Sequence, residues 1–452
     1  MTVRVNKALS KEALFSSVPI RKAVFSLAAP TVLSQLITVI YNMADTFFMG
    51  RLGDPLKVAA ATVSMPLFML LTAFANLFGI GGASLISRAL GAGNKSRAAR
   101  CSAFCIFGAA AVSLFFSVLI MIFENAVLPV LGADGETTEF ASSYIFWTVG
   151  IGSLPTVMNP LLSHLVRAEG YSKQASFGIS LGGILNMLLD PLFIFVFKMG
   201  ITGAAVATLI SNVIATAYFL LFIFVNRHIL AVNFLPKNFT FGDKIPQEVI
   251  SVGLPSFFIS MMATVSNTVL NNIISSYENA AVAGMGIAKK IDLVAFAAAQ
   301  GMTQGTLPLI GYNFSSGNKK RMHDSIKALF LMCLVVSLSA ATALFFGAKA
   351  VTACFINDAA TVSYGQMFLK IICLACPTTA LNFFAITVFQ ATGKKIQPII
   401  LSLLRKGCLD VLLMFVFNLL FGLSGVAWAT PAADSVALII SAVLVVPYIK
   451  KL

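Results

Sequence analysis

A chain of 452 residues that is 58% hydrophobic and only 11% charged, with a mean hydropathy of +0.91, is far more apolar than a soluble domain; soluble domains carry charge on about 25% of their residues. Composition therefore excludes a soluble enzyme and a soluble domain on a single anchor. The net charge of +14 would suggest a polyanionic partner in a soluble protein, but in a membrane protein basic loops on one face account for it.

In chain order, residues 1–22 are polar and basic with no apolar core of a signal peptide, and are expected to form a cytoplasmic segment. A spanning helix takes roughly 20 apolar residues. Twelve stretches meet this: 24–49, 56–86, 101–123, 140–166, 175–197, 201–225, 247–274, 280–311, 325–346, 363–390, 397–421 and 424–447. No ten-residue alternation suggests a β-barrel. Pro30, Pro66, Pro155 and Pro255 lie inside spans and are expected to kink them. The basic stretch 227–246, with Pro236, Gly242 and Pro246, reads as a linker between an N-terminal lobe (23–226) and a C-terminal lobe (247–452). The expected fold is an all-α polytopic membrane protein, with twelve helices in two six-helix lobes.

Of 31 Lys and Arg, 22 fall in the termini and the loops that would share their side, and four in the opposite loops. The positive-inside rule then puts both termini in the cytoplasm. His164 and His323 fall near cytoplasmic ends, where interfacial solvation is expected. The seven cysteines lie mostly in apolar runs, so Cys373-x-x-Cys376 reads as a pair of small core residues.

The chain repeats itself. LAAP (27–30) matches VGLP (252–255), GAGNKSR (91–97) matches SSGNKKR (315–321), RAEGYSKQ (167–174) matches QATGKKIQ (390–397), and GAAVAT (203–208) matches GVAWAT (425–430). The offset stays between 222 and 225 across six spans. An even number of spans per copy gives both copies one orientation, related by a pseudo-two-fold axis along the membrane normal.

Two carboxylates stand out. Asp45 and Asp190 sit in apolar runs, each with a polar residue one helical turn deeper, Tyr41 and Asn186. A carboxylate in hydrocarbon is costly, so it is rare and turned to a functional interior. By helical rise Asp45 lies about 7 Å, Thr208 about 8 Å and Asp190 about 12 Å inside the outer end of the first copy. Two carboxylates close together in low dielectric cannot both stay charged cheaply, so such a pair can hold a proton; the same oxygens suit Na⁺. A second charged group, Lys289, Lys290, Asp292, Arg405, Lys406 and Asp410, falls in the C-terminal copy. It reads either as a structural ion-pair network or as a polar wall or proton relay. Asp434 finds no partner in sequence.

The twelve-span repeat, Pro30 followed by Asp45 in YNMADTFFMGRLG, GAGN after the second span and NMLLDPLFIF in the fifth resemble the multidrug and toxic compound extrusion (MATE) transporters over nearly the whole chain. The resemblance implies a prokaryotic exporter of the inner membrane, not an enzyme. It implies an antiporter that extrudes lipophilic, mostly cationic compounds by alternating access in exchange for H⁺ or Na⁺. No cofactor and no nucleic acid are expected, and the unit is expected to be a monomer. It implies a coupling site at Tyr41, Asp45, Asn186, Asp190 and Thr208, with any Na⁺ held at Asp45, Asn186, Asp190 and Thr208, and no other metal site. The chain departs from the sodium-coupled branch with acids in the seventh and tenth helices: those spans hold Asn267, Asn271, Asn272 and Asn382 instead. The competing readings are a lipid-linked sugar flippase of related fold and an uncoupled channel or scaffold.

Overall fold

The computed structural model describes residues 11–452, all helix, turn and loop with no strand among the described residues. The first ten residues of the expected cytoplasmic segment lie outside them. Hydrocarbon offers no partner for a free N–H or C=O, so an apolar chain satisfies its backbone within helices. In order they are α1 (Lys11–Ser16), α2 (Ile20–Gly50), α3 (Pro55–Gly91), α4 (Lys95–Ile122), α5 (Glu124–Leu131), α6 (Gly135–Ile145), α7 (Ser153–Ala168), α8 (Ser172–Pro191) and α9 (Gly200–Val225). The second copy holds α10 (Ile245–Ile274), α11 (Asn279–Ser315), α12 (Lys319–Ala353), α13 (Ala359–Ile372), α14 (Ala375–Ala391), α15 (Ile396–Ser402) and α16 (Asp410–Lys451).

Among the described residues nine helical stretches are long and apolar enough to cross a membrane, or ten if α6 and α7, bent by 50° across a π-helical turn, count as one. The twelve expected spans follow from two further facts. The stretch 396–451 holds two of them, broken at Gly422, whose φ of 59° no helix tolerates. The 37-residue α11 is long enough but carries Lys289, Lys290 and Asp292, three charges that lower its hydropathy.

The chain divides into two compact units. One comprises 37–253 with the short helix before residue 18; the other comprises 18–36 with 254–452. Residues 23–36 and 247–253, expected with their own lobes, therefore each count with the opposite copy. Close packing explains the second case. A Cβ on Gly253 would lie 1.8 Å from the Leu77 carbonyl oxygen, so only glycine permits the start of α10 to touch α3. In the other unit, Gly301 of α11 leaves room for Val32 of α2 in the same way.

The repeated GNKxR motif has a structural reason. Gly93 and Gly317 turn the chain at φ of 74° and 75°. Asn94 and Asn318 then cap α4 and α12, their side-chain oxygens accepting the backbone N–H of Arg97 at 2.9 Å and of Arg321 at 3.1 Å. Each arginine reaches the chain at or just before the start of α10 or α2. Arg97 Nη2 donates to Glu248 Oε1 (2.7 Å) and to the Asp243 carbonyl (3.4 Å); Arg321 Nη2 donates to the Val18 carbonyl (2.6 Å). Glu248 also binds Arg88 at 3.2 Å.

Candidate functional site

The site of the first unit is built where α8, α9 and α2 bring their polar residues together. Asp190 is fully buried, one residue before the Pro191 that ends the regular part of α8 and opens a π-helical turn, Leu192–Val196. One turn earlier, the Asn186 amide donates to Asp190 Oδ1 at 3.1 Å and to Thr208 Oγ1 of α9 at 3.2 Å. Asn186 thus ties two helices to one carboxylate. Asp45 is half-buried on α2, and its charge acts on Asp190. The Tyr41 ring lies against α8 at Gly183, where a Cβ would stand 3.0 Å from the ring.

Three buried acceptor oxygens have no donor: Asp45 Oδ1, Asn186 Oδ1 and Asp190 Oδ2. An unsatisfied buried oxygen costs about 1–3 kcal/mol, and more when charged. Oxygens of this kind in one lobe are what a proton or a bare cation would satisfy.

Sequence reasoning missed part of this site. Tyr144 of α6 lies within electrostatic reach of Asp45, Asp190 and Tyr41. Deeper, Asn159 Nδ2 donates to Asn212 Oδ1 at 3.0 Å, and Asn212 donates to Thr156 at 3.4 Å, joining α7 to α9. Asn159 stands beside Pro160 in an apolar run, the one signal that marked it.

The charged group of the second unit is organised around two pairs. Arg405 binds Asp434 through Nε (2.6 Å) and Nη2 (2.9 Å), and Thr379 also donates to Asp434. Lys406 Nζ lies 3.1 Å from Asp410 Oδ2, which also accepts from Ser266 Oγ at 2.7 Å. Lys289 and Asp292 are half-buried and feel these charges across the lobe without an ion pair of their own, while Lys290 is exposed. His164 corrects the sequence reading. It is 6% exposed rather than solvated, and its Nδ1 lies 3.2 Å from Arg167 Nη1, while Arg167 Nη2 donates to Ser163 Oγ.

Two repeated lobes of apolar helices with carboxylates buried inside them make a multi-pass membrane protein. The chain belongs to the MatE family, whose profile matches it twice, over residues 30–192 and 255–421. It is similar to the multidrug export protein MepA of Staphylococcus aureus (strain NCTC 8325 / PS 47), 31% identical over 433 residues, 95% of this chain and 94% of that protein. MepA of Staphylococcus saprophyticus is 30% identical over 432 residues, with the same coverage of 95% and 94%. Among solved structures, the crystal structure of MATE in complex with MaL6 matches with a TM-score of 0.92 at 23% identity, over 99% of both chains. An outward-facing multidrug resistance MATE transporter of the MOP superfamily matches at 0.89 and 24% identity, also over 99% of both chains. These two share the fold.

Proposed function

We propose that the protein is a multidrug exporter of the cytoplasmic membrane, with both termini in the cytoplasm, that expels lipophilic cations in exchange for H⁺ or Na⁺. The observation that carries the coupling is the trio of buried, donor-less oxygens on Asp45, Asn186 and Asp190. With the site empty and ionised, its negative charge favours a cationic substrate. A proton or Na⁺ arriving from outside satisfies the oxygens, removes that charge and releases the drug. Release of the ion to the cytoplasm restores the site. Each charge that crosses is worth about 2.3 kcal/mol per 100 mV, so one or two suffice to drive export. The full-length likeness to the MepA proteins supports export of several compounds. A pyrophosphate-carrying flippase would need uncompensated cations, whereas Arg405 and Lys406 each face an aspartate. Efflux of a cationic dye from proteoliposomes under an imposed ΔpH or ΔNa⁺ tests the reading. Flux that follows one gradient supports it, and flux indifferent to both overturns it.

A further inference from the structure

The internal repeat can be followed down to the coupling site. LAAP and VGLP set an offset of 225 between α2 and α10, so Ile37 corresponds to Met262, Tyr41 to Ser266 and Asp45 to Leu270; Asn42 and Asn267 are then identical. RAEGYSKQ and QATGKKIQ set an offset of 223 between the starts of α8 and α15. A π-helical turn, Leu403–Leu409, then precedes the site in the second copy, whereas the π turn of the first copy follows Asp190. One such turn accommodates one extra residue. With it the offset becomes 224, which within the turn pairs Gly182 with Lys406 and Gly183 with Gly407, and beyond it Asn186 with Asp410 and Asp190 with Met414.

Contacts in the two units agree with this register. A Cβ on Gly183 would lie 3.3 Å from Ile37 Cγ2, and a Cβ on Gly407 would lie 2.7 Å from Met262 Sδ. Ser266, in the place of Tyr41, binds Asp410, in the place of Asn186. Leu270 and Met414, in the places of the two coupling aspartates, share one buried apolar cluster. Thr208 corresponds to the buried Thr430.

At the positions equivalent to the first-copy site, the second copy has thus replaced both aspartates by apolar residues and carries one acid, Asp410, 1% exposed. Beside it stands a lysine where the first copy has glycine. We propose that Lys406 is a tethered cation: its ammonium takes, beside Asp410, the place that the exchangeable ion takes in the first copy, and so confines ion coupling to the Asp45–Asp190 lobe. This rests on the coupling reading given above. A covalently held ammonium balances a buried carboxylate without leaving it, so the Lys406–Asp410 pair stays neutral at every stage of transport. Lys289 and Asp292 on α11, Arg405 on the π turn and Asp434 on α16 also face this region. Arg405 is engaged by Asp434, and neither Lys289 nor Asp292 bonds Asp410. Asp410 Oδ1 remains without a donor. Without Lys406, the carboxylate would therefore take a proton or Na⁺ instead.

The test uses Lys406→Gln in the full-length protein carrying Asp190→Asn, so that the first site does not contribute. Thermal unfolding in detergent is followed from about pH 5 to about pH 9, with NaCl or choline chloride. A carboxylate left unpaired is tolerated when protonated and costly when ionised, so the Tm of the variant should fall by at least about 5 °C as pH rises, relative to Asp190→Asn alone. Na⁺ should recover part of the loss, and adding Asp410→Asn should abolish both dependences. A Tm indifferent to pH and Na⁺, or a dependence that survives Asp410→Asn, would overturn the proposal. Should Lys406→Gln fail to accumulate, Lys406→Gln/Asp410→Asn must accumulate, since it removes both charges together; failure of that variant also contradicts the proposal. Because stability is read in a background without Asp190, the result is independent of whether Asp45 and Asp190 couple transport.

Discussion

Asp434 shows how one residue's meaning depends on a partner that sequence does not reveal. It lies 29 positions from Arg405, yet the two form a two-point pair, each with at most 3% of its side chain exposed. Removing one member of such a pair strands the other charge and costs about 3–5 kcal/mol, whereas replacing both with apolar residues is often neutral. Arg405→Met should therefore lower the Tm in detergent strongly, and Arg405→Met/Asp434→Leu should regain most of the loss. An Arg405→Met protein as stable as the parent would show that the pair contributes nothing. Asp45 and Asp190 were legible at this scale because a carboxylate in an apolar run stands out. Tyr144, Asn159 and Asn212 were not, since uncharged polar residues are common in spans and no fixed spacing links one helix to another.

At the scale of elements, most helices followed from apolar length alone, but their interruptions did not. The π turns at 146–151, 192–196 and 403–409 leave no mark in hydropathy, because they change backbone winding without changing composition. The turn, cap and clamp of GNKxR were visible as a repeated motif, while the clamp's target appeared only in three dimensions. Glu248 at the start of α10 holds both Arg88 and Arg97, at 17% and 32% side-chain exposure. Charge-assisted hydrogen bonds of this partly buried kind contribute about 1.5–3 kcal/mol each at most. Glu248→Gln should thus lower stability by about 1–2 kcal/mol, read as a Tm shift in detergent at low salt, with the gap to the parent narrowing at high salt. A shift that ignores salt would place the effect in packing rather than charge.

For the whole molecule, the two-copy architecture could be read from four short motifs and their steady offset. That residues 18–36 count with the second unit and 247–253 with the first could not, because it depends on close packing at Gly301 and Gly253 that no periodicity encodes. The proposed orientation rests on the Lys and Arg bias and is open to labelling in intact cells. A cysteine at Asp134 should react with an impermeant thiol reagent added outside, and one at Lys319 should not, in a background freed of the exposed Cys354 and Cys408. The reverse pattern would invert the topology and with it the direction of the proposed exchange.

The central claim, that Asp190 carries the coupling ion, is tested most directly by gradient-driven efflux from proteoliposomes containing Asp190→Asn. Asparagine keeps the volume and the hydrogen bond to Asn186 but cannot titrate. The account predicts that the variant folds, inserts and binds dye, yet shows no efflux above background under ΔpH or ΔNa⁺, while Asp45→Asn retains at most a residue of activity. Full gradient-driven efflux by a well-folded Asp190→Asn protein would contradict it.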